Sequence, residues 1–378
     1  MTIKPQYPSQ TQINSVISLY SNGQIQEALD SVETLIKGYP EEPLLYNISG
    51  VCYKAVGQLD TAVKSFEKAI ALKPDYTEVN YNLGLTLQEL GQLEDAVKCY
   101  EKAIATKPDY AEAHNNLGAT LKDLGQPDTA VKSFEKAIAL KPDYAEAHIN
   151  LGNALQEFDQ LEDAIKCYEK AVAIKPDYAE AHFNLGNSLR MLDQLEDAIK
   201  CYEKAVALKP DYAEAHNNLG ATLNDLGQPD VAVKSFEKAI ATKPDYAEAH
   251  INLGNALQEF DQLEDAIKCY EKAVAIKPDY AEAHYNLGGT FYQLNQLDAA
   301  VKSYKKAIAV KPDYAEVHFS LGVVFRALSQ QDAAVKCYEK AVAIKPGYAE
   351  AHRNLSALKK YTKDDPQITQ MQSLVSTS

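Results

Sequence analysis

Residues 145–178, AEAHINLGNALQEFDQLEDAIKCYEKAVAIKPDY, carry two runs of apolar positions at spacings of three and four. Ala147, Leu151, Ala154, Leu155 and Phe158 form the first stripe; Ala164, Ile165, Tyr168, Ala171, Val172 and Ile174 form the second. This spacing places side chains on one face of an α-helix, so the segment predicts two short amphipathic helices, A and B. Asp159-Gln160 breaks the pattern between them, and the equivalent Gly125-Gln126 is a stronger stop, because glycine accepts the left-handed backbone that ends a helix. Asp143 and Glu146 read as a capping box for helix A. Glu162 and Asp163 suit the positive end of helix B, which begins near Leu161; Lys175 and Pro176 close it. In two other segments Pro127 and Pro229 occupy the first turn, where the missing N–H costs nothing.

The same pattern returns with a period of 34 residues, marked by a proline ten times from Pro40 to Pro346. A strict period of this size predicts a stack of helical pairs in place of one globular core. Small residues recur where the helices should cross: Gly118, Gly152 and Gly220 in helix A, Ala130, Ala164 and Ala232 in helix B. Glycine inside a helix costs about 1 kcal/mol against alanine, so its recurrence predicts a partner side chain that needs the space. Residues 145–178 and 247–280 are identical, and 111–144 nearly match 213–246. Recent duplication, selection or a designed array would each produce such copies.

These positions resemble the tetratricopeptide repeat family: His148, Leu151-Gly152, Leu155, Ala164, Tyr168, Ala171 and Pro176 stand at its offsets. The resemblance covers about 9–348 as ten repeats, the first degenerate, with Val16 for the glycine and Val32 for the aromatic. A capping helix is expected at 349–361, with Ser356 for the glycine, a disordered N-terminus at 1–8, and at 362–378 a tail that reads as the start of a linker. The resemblance implies an all-α, right-handed superhelical solenoid of antiparallel helix pairs whose concave face is lined by helix A. It further implies a non-catalytic scaffold that holds a peptide or protein segment in that groove. The repeats are similar to those of O-linked N-acetylglucosamine transferases, and the tail to the segment joining such repeats to bacterial sulfotransferases. An accessory region of a larger transferase is therefore an alternative, and a self-assembly module is another.

Charge narrows the partners. Lys and Arg number 38 against 53 Asp and Glu, a net charge of −15, which disfavours nucleic acid and anionic membranes. No run approaches the roughly 18 apolar residues of a membrane span, and the start MTIKPQYPSQ has no signal core, so the expected compartment is the cytoplasm. Five of six cysteines share one repeat position with Ser65, Ser133, Ser235 and Ser303, which predicts a small packing slot and reduced thiols. The eight histidines, from His114 to His352, also share one position. Equivalent residues of stacked helices stand about 8–10 Å apart, too far to share a metal, so they read as packing residues. No glycine-rich phosphate loop, HExxH or nucleophile elbow is present; no enzyme activity and no cofactor are implied.

The non-core side of helix A holds the candidate site. Asn82, Asn116, Asn150, Asn184, Asn218, Asn252 and Asn286 form a column broken only at Ser320. An amide both donates and accepts, so a ladder of them suits a peptide backbone; the competing reading is a hydrogen bond to a neighbouring turn. Beside it runs a variable column, Tyr81, Asn115, Ile149, Phe183, Asn217, Ile251, Tyr285 and Phe319, expected to set specificity. Asn153, Asn187 and Asn255 form a third column, and Arg190 and Arg326 are rare cations suited to a carboxylate. The acid at the early position of each helix A, Glu78 to Glu316, stands where the family's carboxylate clamp needs lysine, which favours neutral or basic partners.

Overall fold

The computed structural model describes residues 7–359. Of the expected disordered segment 1–8 only Tyr7 and Pro8 are described, and Pro8 is buried; the tail 362–378 lies outside the described residues. The described chain is all helical, with A and B helices alternating from Gln10–Ser21 to Ala349–Leu358. It divides into two compact units, 1–192 and 193–378, with the boundary inside the sixth repeat. Within each unit, A and B helices that follow one another in the chain pack on each other.

The helix ends follow the chain's punctuation with one correction. Helix Ala145–Glu157 begins a residue later than a capping box at Asp143 requires: Tyr144 is its N-cap residue and makes no side-chain cap bond. Glu146 thereby falls in the first turn, where it still meets the positive helix end. Among the described residues a true capping box forms only at the start of helix Gln10–Ser21, between Ser9 and Gln12. The turn between A and B needs a left-handed residue: Gly125 has φ 71° there and Asp159 φ 59°. Aspartate reaches that region more easily than most residues with a Cβ. The turn also removes Phe158 from the predicted stripe; it is the C-cap of helix A and is 37% exposed.

In eight repeats the crossing is set by a glycine in A, from Gly50 to Gly322, and an aromatic ring in B. A Cβ on Gly152 would stand 2.6 Å from Cε1 of Tyr168, and one on Gly118 2.7 Å from Cε1 of Phe134. The first repeat exchanges both partners at once: Val16 and Val32 are both buried, a larger residue in A facing a smaller one in B. Its departure from the pattern is a volume-conserving swap, the kind of core change that is best tolerated. Ala62, Ala96, Ala130 and Ala164 are fully buried at the companion crossing position.

The cysteine slot is as small as its Cys/Ser alternation suggests. Cys99 is buried, Cys167, Cys269 and Cys337 are partly so, and all are free thiols. Burial pushes the Cys99 and Cys167 thiols up to about 11. A thiol held protonated by the fold contributes stability that is complete below the ordinary value of 9.0 and is lost as pH rises through about 11.

Two outcomes follow from this packing. Gly152→Ala should lower stability by about 1–3 kcal/mol through overpacking against Tyr168, reversing the sign that helix propensity alone would give; urea unfolding checks it, and a stabilised variant would refute the crossing. Ellman's reagent at pH 8 should label the native thiols about 100-fold more slowly than the unfolded chain's; equal rates would mean the slot is open to solvent.

Candidate functional site

The loop that ends each repeat, Lys-Pro-Asp-Tyr in most, positions the helix-A face of the next. The histidine of helix A reaches back to the carbonyl of the proline six residues earlier: Nε2 of His148 lies 3.1 Å from O of Pro142, and Nε2 of His318 2.9 Å from O of Pro312. A carbonyl only accepts, so Nε2 carries the proton and donates. All eight histidines make this bond. Two repeats without the histidine keep the bond: Oη of Tyr46 donates to Pro40 O at 3.0 Å, and Nδ2 of Asn80 to Pro74 O at 3.4 Å. Packing is thus half of the histidine's role; satisfying the proline carbonyl is the other half.

The loop lysine and tyrosine stack on each other, with Nζ of Lys141 4.8 Å from the ring centre of Tyr144 and Nζ of Lys175 4.4 Å from that of Tyr178. The tyrosine then covers the variable column of the preceding helix A. Ring centres are 4.9 Å apart for Tyr81 and Tyr110, 5.5 Å for Tyr285 and Tyr314, and 5.1 Å for Phe319 and Tyr348. Tyr144 and Tyr246 lie in the same register beside Asn115 and Asn217. Burial, then neighbouring Tyr81 and acids, push the Tyr110 hydroxyl up to about 12. This cover corrects the expectation that the whole variable column is an open surface. Asn115, Ile149, Asn217 and Ile251 are buried, whereas Tyr81, Phe183, Tyr285 and Phe319 remain half-buried. The tyrosine column from Tyr76 to Tyr348 was missed as part of this face; its signal was its return two residues after each repeat proline from Pro74 to Pro346.

The asparagine column ties neighbouring A helices together. Nδ2 of Asn82 donates to Asn47 Oδ1 at 3.1 Å, Asn116 to the Tyr81 hydroxyl at 3.0 Å, and Asn150 to Asn115 Oδ1 at 3.0 Å. Asn184 donates to Asn153 Oδ1 at 3.0 Å, Asn252 to Asn217 Oδ1 at 3.0 Å, and Asn286 to Asn255 Oδ1 at 2.9 Å. The partner is the preceding A helix and not a turn. The third column is engaged too: Asn153 and Asn255 each accept a 2.7 Å bond from the buried hydroxyls of Tyr168 and Tyr270. Asn187, Arg190 and Asn218 are half-buried and also engaged with neighbours. Arg326 is exposed and donates to Asn354 Oδ1 at 2.7 Å.

The early acids are partly neutralised. Glu112, Glu214 and Glu316 pair with Lys141, Lys243 and Lys345 at 3.1, 3.2 and 2.9 Å. Lys345 and the backbone N–H of Glu316 hold its carboxyl below the ordinary range. Glu78, Glu146, Glu180, Glu248 and Glu282 are exposed. Among the described residues no cluster of His, Cys, Asp and Glu could hold a metal, and no helix is long and apolar enough to cross a membrane.

Known proteins match this geometry as follows. The sequence pattern of the TPR repeat family matches nine segments between residues 50 and 359. No curated protein sequence matches the chain. Among solved structures, MamA is 30% identical over 44% of this chain and 97% of its own, with a TM-score of 0.42. YrrB, described as a TPR protein with an unusual peptide-binding site, is 27% identical over 50% of this chain and 96% of its own, TM-score 0.44. The APC/C hetero-tetramer Cut9-Hcn1 is 14% identical over 92% of this chain and 83% of its own, TM-score 0.52, a likeness of fold.

The proline bond has a direct test. His148→Leu leaves the Pro142 carbonyl without its donor and should cost about 1–3 kcal/mol, whereas His148→Asn, the residue found at position 80, should cost less. Chemical denaturation ranks the two, and equal losses would reduce the histidine to its volume.

Proposed function

The chain belongs to the TPR repeat family, and on that premise we propose that it is a binding scaffold whose helix-A face, within each unit, holds an extended peptide segment of a partner protein. The observation that carries this reading is the state of the asparagine column. Asn82, Asn116, Asn150, Asn184, Asn252 and Asn286 are each tied to the preceding A helix, as Asn150 is by Asn115, so their orientation is set before any guest arrives. An asparagine has two N–H donors and a carbonyl oxygen, and Asn150 uses one donor within the described residues. The remaining groups suit a peptide amide, and their preset geometry lowers the entropy lost on binding.

Spacing supports an extended guest. Helices pack about 8–10 Å apart and an extended strand rises about 3.3 Å per residue, so one asparagine meets a guest about every three residues. Asn82, Asn116, Asn150 and Asn184 would serve in the first unit, and Asn218, Asn252 and Asn286 in the second. The half-buried rings of Tyr81, Phe183, Tyr285 and Phe319 would take apolar side chains; rings fixed against a tyrosine lose little rotamer freedom when a guest packs on them. The exposed acids of the first turns favour a neutral or basic segment. The reading assigns the chain no chemical step.

Photo-crosslinking tests the face. p-Benzoylphenylalanine at Tyr81 and at Tyr285, each an aromatic-for-aromatic exchange, should capture partner protein in cells of the native host. The same residue at Glu169 or Glu271, exposed on B helices, should not. Adducts from the B-helix positions alone would overturn the assignment.

A further inference from the structure

Tyr338 is fully buried, and its hydroxyl has no hydrogen-bond partner among the described residues. The equivalent hydroxyls show what it lacks. In the fifth repeat Tyr168 donates to Asn153 Oδ1 at 2.7 Å, with Gln156 Oε1 at 3.2 Å; in the eighth, Tyr270 has Asn255 and Gln258 at 2.7 and 3.1 Å. Tyr100 donates to Gln88 at 2.9 Å. In the tenth repeat both acceptors are gone, because Val323 stands in the register of Asn153 and Arg326 in that of Gln156. The ninth repeat has also lost its asparagine, to Gly289, and there Tyr304 bonds Ser320 of the next A helix. Asn354 stands to Tyr338 as Ser320 stands to Tyr304, sixteen residues on. Yet the Oδ1 of Asn354 is taken by Arg326 at 2.7 Å, and its Nδ2 donates to Glu350 O at 2.9 Å.

The tenth repeat therefore leaves one buried donor unmatched. The amide oxygen of Asn354 is turned to the exposed guanidinium of Arg326, and the buried hydroxyl of Tyr338 is without a partner among the described residues. A buried donor left unmatched costs about 1–3 kcal/mol, and an arginine fork is best matched by a carboxylate. Proximity is also felt electrostatically: burial pushes the Tyr338 hydroxyl up, and the Arg326 charge pulls it the other way. We propose that Arg326, Asn354 and Tyr338 form a carboxylate subsite at the C-terminal end of the helix-A face, in which a carboxylate of the bound segment takes Arg326 and releases Asn354 Oδ1 to the Tyr338 hydroxyl. This rests on the helix-A face being the binding face. It adds one anion-selective position to a surface otherwise bordered by acids, and so fixes the register of a guest. Tyr292, exposed at the matching position of the ninth repeat, offers an apolar neighbour to the same guest residue.

Small probes test the subsite apart from the groove. N-acetyl-aspartate amide offers a side-chain carboxylate, N-acetyl-alanine a terminal one, and N-acetyl-asparagine amide none. Nuclear magnetic resonance of the Asn354 side-chain amide should shift with one or both acids and not with the amide, and whichever acid acts identifies the source. Arg326→Gln restores the acceptor found at Gln156, so it should raise the melting temperature while weakening the acid about tenfold or more. Tyr338→Phe removes the unmatched hydroxyl and should weaken the acid with the fold intact. The subsite is wrong if Asn354 ignores both acids up to their solubility, or if either variant binds them as the wild type does. Crosslinks from Tyr81 and Tyr285 would survive that result, so a failed subsite is distinguishable from a failed groove.

Discussion

Every repeat depends on one hydrogen bond, from the sixth residue after the proline to the proline's own carbonyl. The residue is Tyr46, then Asn80, then eight histidines, and all three types place a donor on the same oxygen. The bond joins the end of one B helix to the first turn of the next A helix, where neither helix can satisfy the carbonyl by itself. It sets the azimuth at which each A helix begins. The loop tyrosine, two residues after the proline, is then brought onto the preceding A helix, and the asparagine two residues after the histidine onto its neighbour's amide. A shift of one residue in that first turn would rotate the helix by about 100° and break both rows.

Helix boundaries, the glycine–ring crossing and the packing role of the histidines were legible because each rests on local spacing. The swap of Val16 and Val32 was visible as a departure, but its sense needed the sixteen-residue pairing of glycine and ring. The burial of Ile149 and Ile251 is not legible from the spacing, because a two-helix repeat taken alone has only one buried side. An A helix inside a stack meets its own B helix, the A helices before and after it, and the tyrosine of the next loop. That wider contact buries positions that an isolated pair would expose. The polar columns failed to declare themselves for a related reason: an asparagine suits a guest's backbone and a neighbour's amide equally well.

That ambiguity is also how a structural ladder becomes a binding face. An amide that stitches two repeats must sit at the surface between them, with its plane fixed, and it uses only part of its hydrogen-bonding capacity in doing so. Stability and recognition therefore draw on the same side chains. Removing Asn184 would disturb the Asn153 oxygen that also receives the Tyr168 hydroxyl. The half-buried aromatic column is better placed to vary at Tyr285 and Phe319, which touch rings, than at Tyr81, whose hydroxyl also accepts from Asn116.

The balance of donors and acceptors then distinguishes repeats that look alike. In the fifth and eighth, one asparagine oxygen receives both a tyrosine hydroxyl and the next repeat's amide, and each tyrosine keeps a glutamine as a second acceptor. In the ninth a serine supplies the missing group from the following repeat. In the tenth, Val323 and Arg326 remove two acceptors and add a charged donor, and the following asparagine accepts from the arginine and not from the tyrosine. The same fold, crossing and proline bond persist in all of them. The difference is one buried donor left unmatched beside a cation, and an anion supplied from outside the chain would draw the cation and let the amide turn to that donor.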